Sequence, residues 1–150
     1  MLLEILWAAA STFAFGIIFN LKGKKLFCAS AGGALGWAVY IFFKHNGSSI
    51  PASFLYSSIA ITIYSEIIAR FLKTPVTSTL IASLIPLVPG SGVYFTMSYL
   101  VENKIEEAVA KGTETILITV AITVGIVLVS TFSQIYYKIR RYNKIKKTNK

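Results

Sequence analysis

Charge is what this sequence has least of. Asp, Glu, Lys and Arg make up 14% of its 150 residues, against about 25% in an ordinary soluble domain. Cysteine occurs once, at Cys28 inside an apolar run. An intrachain disulfide and a multi-thiolate metal site are therefore excluded, and the lone thiol reads as packing. Histidine also occurs once, as His45 in a polar loop with no second His or Cys beside it, so no catalytic metal site is expected. There is no GxxxxGKS/T and hence no P-loop. Nor is there an HExxH, a GxSxG or a pair of membrane aspartates. No enzyme chemistry and no cofactor are expected.

What remains is apolar. Hydrophobic residues reach 55%, mean hydropathy is +0.66, and the apolar residues fall in long uninterrupted runs. Soluble amphipathic helices do not show such runs. Five segments stand out: about Leu2 to Phe19, Leu26 to Phe43, Ala52 to Leu72, Val76 to Val101 and Thr115 to Tyr137. An 18-residue helix is ~27 Å long, close to the ~30 Å hydrocarbon core. Backbone groups cannot go unpaired in lipid, so such runs are helices or closed barrel strands. Without period-2 alternation they read as helices. The expected fold is an all-α integral membrane protein of five transmembrane helices, the fourth broken. It divides into a membrane domain, residues 1–137, and a basic tail, residues 138–150.

The basic residues give an orientation. Loops one and three and the tail hold twelve Lys and Arg; loops two and four hold three. By the positive-inside rule the N-terminus lies outside and the C-terminus in the cytoplasm, in the cell (inner, cytoplasmic) membrane. Ala8 to Ser11 imitate a signal-peptide cleavage site, but the residues before them carry Glu4 and no basic residue, so the segment is expected to be a retained helix. The net charge of +9 suggests nucleic acid or anionic lipid as partner. The placement of the charges at the ends of apolar runs favours a topology anchor in the lipid bilayer, and no nucleic-acid partner is expected.

Loop four, Glu102 to Glu114, is acidic, with Ile105, Ala108 and Val109 at helical spacing. It reads either as a short amphipathic helix on the outer surface or as an extension of the fourth segment into water. In the second segment Gly32 and Gly36 form a GxxxG, which marks one face for close helix packing.

The richest stretch is LIPLVPGSGVYFT, Leu84 to Thr96. Pro86 and Pro89 lack an amide hydrogen and clash with the preceding turn; Gly90 and Gly92 permit backbone angles other residues avoid. Four such residues within seven should break the helix near mid-membrane. Ser91, Gly92 and Val93 would then present free amides to an anion, with hydroxyls from Tyr94, Thr96 and Ser98. Discontinuous helices of this kind form substrate sites in secondary transporters; a proline kink satisfied by neighbouring helices is the plain alternative. Glu66 is the ionisable residue inside a segment and a candidate coupling group, although Arg70, four residues on, offers it a helical ion pair. Asn20 ends the first segment as a polar gate or as a helix cap.

The run from Ser65 to Met97, SEIIARFLKTPVTSTLIASLIPLVPGSGVYFTM, and FAFGIIFN with KGKKLFCASAGGALGW, from Phe13 to Trp37, resemble the threonine/serine exporter (ThrE) family. The likeness is closest to its short, single-unit (YjjB-like) members and extends to about Leu100. It implies export of small carboxylate metabolites: threonine- or serine-type amino acids, or a dicarboxylate such as succinate. It also implies a partner, a separate and larger membrane subunit of the same family; a homo-oligomer stays open. Two readings follow. The chain is one subunit of a two-component exporter with Pro86 to Gly92 at its substrate site, or it is a non-transporting assembly subunit that contacts a partner through the Gly32/Gly36 face.

Overall fold

Helix α1 spans Leu2–Ile18, α2 Lys24–His45, α3 Ile50–Phe71 and α4 Val76–Leu84. A single 3-10 turn, Ile85–Leu87, follows, then α5, Gly90–Val101, and α6, Ile105–Thr148. This computed structural model describes the backbone of residues 1–148 and the side chains of residues 1–139. The described backbone is helix and short connections, so helices rather than barrel strands satisfy its polar groups. The boundary expected between residues 137 and 138 falls inside α6. Of the basic tail, the side chains from Arg140 onward lie outside the described residues.

Four helix ends are closed in the same way. Asn20, Gly47, Lys73 and Asn103 take positive φ angles of 59°, 80°, 51° and 58°. The amide after each reaches back to a carbonyl in the last turn: Leu21 to Gly16, Ser48 to Phe43, Thr74 to Ala69 and Lys104 to Tyr99, at 2.9 to 3.1 Å. This left-handed cap satisfies orphan carbonyls and turns the chain at once. Asn20 therefore has the geometry of the capping alternative, with an exposed side chain.

Loop four differs from both expectations. Asn103 closes α5, and α6 starts at Ile105 with no breaker before the apolar run. Ile105, Ala108 and Val109 are thus the first turns of the fifth segment's own helix. They form neither a separate surface helix nor an extension of the fourth segment.

Helix α2 packs against α1, α3 and α4, while α6 lies along α3 and α5. A core of Tyr40, Ile41, Phe54, Ile61, Leu80, Leu87 and Ile118 fills the centre. Between the helices sit small residues and hydroxyls, as expected where lipid removes the hydrophobic drive for helix association. Ser30 donates to Ala9 O at 2.8 Å, Ser57 to Gly36 O at 2.6 Å, Tyr64 to Cys28 O at 2.9 Å and Ser83 to Ala29 O at 2.9 Å. Gly32 lies against Ser83 and Gly36 against Ile61. Both glycines are buried within the chain, so they do not offer a face to another protein.

Helices α2, α3 and α6 are long and apolar enough to cross a membrane. The α4–α5 pair makes a fourth if counted as one span, and α1 is a shorter apolar helix.

Candidate functional site at the helix break

The prolines end one helix and start the next. Val88 leaves the 3-10 turn in an extended conformation, at φ −62° and ψ 124°. Pro89, at φ −76° and ψ 53°, centres an inverse γ-turn in which the Gly90 amide bonds Val88 O at 2.7 Å. The half-helices meet at 48°. The Val93 amide reaches Pro89 O at 3.2 Å. The Ser91 and Gly92 amides have no backbone acceptor among the described residues, and no side chain caps them. Two bare N–H dipoles stand at the start of α5, where the helix favours an anion.

The break shares cavities with Glu4 to Ser11 of α1, Trp37 and Tyr40 of α2, and Ile50 and Phe54 of α3. It therefore lies between the middle of the bundle and the ends where α1 and α3 begin, and it divides the α4–α5 pair into halves of equal length, Val76–Leu87 and Gly90–Val101. From Val76 to Leu87 the chain climbs ~20 Å, against ~33 Å for the whole of α3.

A cavity of about 230 Å³ opens beside the break. Pro86, Pro89, Ser91 and Gly92 line it, and so do Lys111, Glu114 and Thr115 from α6 and Trp37 from α2. Lys111 Nζ donates to Glu114 Oε2 at 2.7 Å, each side chain about one-third exposed. The buried Trp37 Nε1 has no hydrogen-bond partner among the described residues. Trp37 and Pro86 also wall a second cavity of about 360 Å³, with Glu4, Trp7, Ala8 and Ser11. One ammonium and two bare amides stand at the first cavity, while the Trp37 indole N–H faces the Glu4 carboxylate of the second. The ammonium and the amides suit a carboxylate.

The structure brings part of the expected set together. Pro86, Pro89, Ser91 and Gly92 line the cavity. Gly90 is exposed with open space about it, while Gly92 is buried against Thr115. Tyr94 is 68% exposed and sets its ring edge-on to Phe95, away from the cavity. The Thr96 hydroxyl is occupied by Gly92 O at 2.7 Å, and Ser98 donates to Glu102. Glu66 is not at the break. It pairs with Arg70 at 2.7 Å near the far end of α3. Sequence reasoning passed over Trp37, Lys111, Glu114 and Thr115. The signal was present: Lys111, Glu114, Thr115 and Ile118 fall at helical spacing and run on into the fifth apolar segment.

A family model described as Threonine/Serine exporter, ThrE matches residues 4–132. The chain belongs to the threonine/serine exporter family. Comparison with curated proteins and with solved structures yields no match. As a member of this transporter family with several apolar helices, the chain is a multi-pass membrane protein of the exporter type. Within this exporter the break cavity is where bundle, half-helix and charge meet.

Proposed function

We propose that the chain is one membrane subunit of a two-component secondary exporter for small carboxylate metabolites, either threonine- or serine-type amino acids or a dicarboxylate such as succinate. All five apolar segments cross the cytoplasmic membrane, α1 included, although its 17 residues reach only ~26 Å. The N-terminus lies outside and the C-terminus in the cytoplasm, in keeping with the basic residues. The partner is a larger membrane subunit of the same family.

The observation that carries this reading is the pair of bare amides, Ser91 and Gly92, beside a cavity walled by Lys111. A solute carboxylate satisfies the amides and takes the Lys111 ammonium from Glu114. In the empty state Glu114 holds Lys111, so the cation is never left unpaired. Glu66 remains the candidate coupling group, and the bend at Pro86 to Gly92 is where the half-helices change angle during alternating access.

The test is efflux from vesicles that contain the co-expressed pair. Lys111→Gln should cut threonine, serine or succinate efflux by about tenfold or more, the loss expected for one charge-assisted hydrogen bond. Efflux equal to wild type, with assembly intact, would sink the site. No efflux of any of these solutes by the wild-type pair would sink the function.

A further inference from the structure

Far from the break, at the other end of α3, lies a cavity of about 400 Å³ between α3, α4 and α6. Glu66, Arg70, Thr74, Ser133, Gln134 and Tyr137 are among the residues that line it. The geometry points to a second carboxylate site here, centred on Arg70, in which Glu66 holds the guanidinium at rest and a solute carboxylate displaces it. The binding requires nothing of the break. Its role as the cytoplasmic loading site rests on the exporter reading above.

The guanidinium is positioned from three sides. Arg70 Nη2 donates to Glu66 Oε2 at 2.7 Å and to Ser133 Oγ at 2.9 Å, and Nε donates to Glu66 O at 2.9 Å. Its carbon sits 3.2 Å from the centre of the Tyr137 ring, which fixes the guanidinium against an aromatic ring. Nη1 makes no hydrogen bond among the described residues. Thus the cation is held with one nitrogen, Nη1, unused, and a solute carboxylate that displaces Glu66 would take Nη1 together with the freed Nη2 N–H as a planar fork.

A second, independent observation points into the same space. The Thr74 hydroxyl is buried, lines this cavity and has no hydrogen-bond partner among the described residues. It is available for the hydroxyl, amino or second carboxyl group of a small solute. Among the described residues, charge in the lining comes from Glu66 and Arg70; α4 and α6 contribute hydroxyls, an amide, a phenol and aliphatic groups. Those two charges cancel at rest. Exchange of one carboxylate for another keeps Arg70 paired throughout and leaves the displaced Glu66 carboxylate as the lone charge. An amide at Glu66 removes the internal competitor while it keeps the shape.

A phospholipid phosphate offers the same negative charge. On the other side of the ion pair an apolar groove runs past Ile63, Ile67, Val129 and Phe132, where an acyl chain would lie. The polar lining and the Thr74 hydroxyl favour the free solute. The experiment separates the two sources.

The full chain, purified into phosphatidylcholine nanodiscs, is titrated calorimetrically with succinate, with L-threonine and with acetate. Wild type should bind at least one of them. Glu66→Gln should tighten that binding several-fold. Arg70→Gln should weaken it by about tenfold or more, and Arg70→Lys, which lacks the fork, should not restore it. Each titration is run in the Lys111→Gln background, where the break site is weakened and the Arg70-dependent binding should remain, so that failure of the break site and failure of this site read differently. Thermal melting accompanies each variant. If Arg70→Gln does not fold, Glu66→Gln decides: tighter binding supports the site, and weaker or equal binding overturns it. The inference also falls if Arg70→Gln binds like wild type or if no probe binds to wild type or Glu66→Gln. It falls as well if phosphatidylglycerol in the nanodisc abolishes solute binding, which marks a lipid site.

Discussion

Gly90 and Gly92 stand two residues apart in the break, and alanine should tell them apart. A Cβ on Gly90 meets nothing within 4 Å, and its φ is not positive. Gly90→Ala is expected to be neutral or to stabilise by ~0.4–1 kcal/mol through the unfolded chain. A Cβ on Gly92 would overlap Thr115 Oγ1 and stand 3.1 Å from Cγ2 and 3.2 Å from Cβ of the same residue. Thr115 is buried, and its hydroxyl donates to Lys111 O at 2.7 Å, so it cannot turn aside without loss of that bond. Overpacking of this kind costs ~1–3 kcal/mol. Set against the entropic gain, Gly92→Ala should destabilise by ~1–2 kcal/mol, a factor of ~5–30 in the folded ratio. It should also push the bare amides away from Lys111 and weaken solute binding. Thermal melting in detergent reads the first effect and calorimetric titration with threonine or succinate the second. Thr115→Ala in the Gly92→Ala background removes the colliding atoms and should restore both. If Gly92→Ala melts no lower than Gly90→Ala, or if Thr115→Ala gives no rescue, the close approach of α5 and α6 is not what holds the break in place.

Three further outcomes are expected. Lys73 ends α3 at φ 51°, a conformation that costs a side-chain residue ~1–2 kcal/mol. Lys73→Gly should therefore raise the melting temperature, and a fall would contradict the left-handed cap. Trp37→Phe keeps an aromatic ring against Tyr40 and removes the N–H that faces Glu4, so stability should change by less than ~1.5 kcal/mol. Solute binding at the break should be unchanged, and a several-fold loss would bring the indole N–H into the site. On the turn before α6, the Lys104 ammonium bonds the Glu102 carboxyl at 2.6 Å, and with help from Ser98 holds it below the usual carboxylate range. A carboxyl lowered in the fold keeps its ion pair above the ordinary carboxylate range and loses it as pH falls through the lowered value. An NMR titration should show a depressed Glu102 midpoint that rises in Lys104→Met, and the same midpoint in both proteins would refute the pairing.

The sequence was most readable where one residue decides the local backbone. Pro86 and Pro89 break the fourth helix whatever surrounds them, and Asn20 caps α1 by tolerance of the left-handed region. The occupants of the cavity were less readable, because they depend on which helix lies across from the break. Tyr94 looked functional for its hydroxyl beside the Gly-Ser-Gly run. Helix α5, however, presents Gly92 to α6, and Tyr94, two residues on, points about 200° round the helix and stays exposed. Lys111 and Glu114 looked like loop residues because they are charged and precede the apolar run. The cap at Asn103 starts α6 early and carries them to the break. In both cases local chemistry was read correctly, and tertiary proximity decided its use.

The hydrogen bonds divide the polar residues into two kinds. Those that tie helix to helix gather on α2: Ser30 of α2 bonds α1, and Ser57, Tyr64 and Ser83 reach α2 carbonyls from α3 and α4. Each such bond adds ~0.6 kcal/mol on average in a membrane bundle, so α1 to α4 are fastened about one axis. Helix α6 is held differently. Against α3 it has Gly125 set close on Ser58 and Leu55 O, and among the described residues one side-chain bond, Arg70 to Ser133. Most of its own threonines bond back within the helix. Both polar cavities lie along α6, which is packed closely on α3 but has few side-chain hydrogen bonds to it, one at Lys111 to Ile118 and the other at Ser130 to Tyr137. Two of the buried polar atoms left without a partner, Trp37 Nε1 and Thr74 Oγ1, belong to the linings of these cavities. A buried donor left unpaired costs ~1–3 kcal/mol. Among the described residues Ser65 and Thr79 hold the other two, packed away from these cavities, so Thr74 is the buried hydroxyl without a partner that a solute in the α3–α6 cavity can reach.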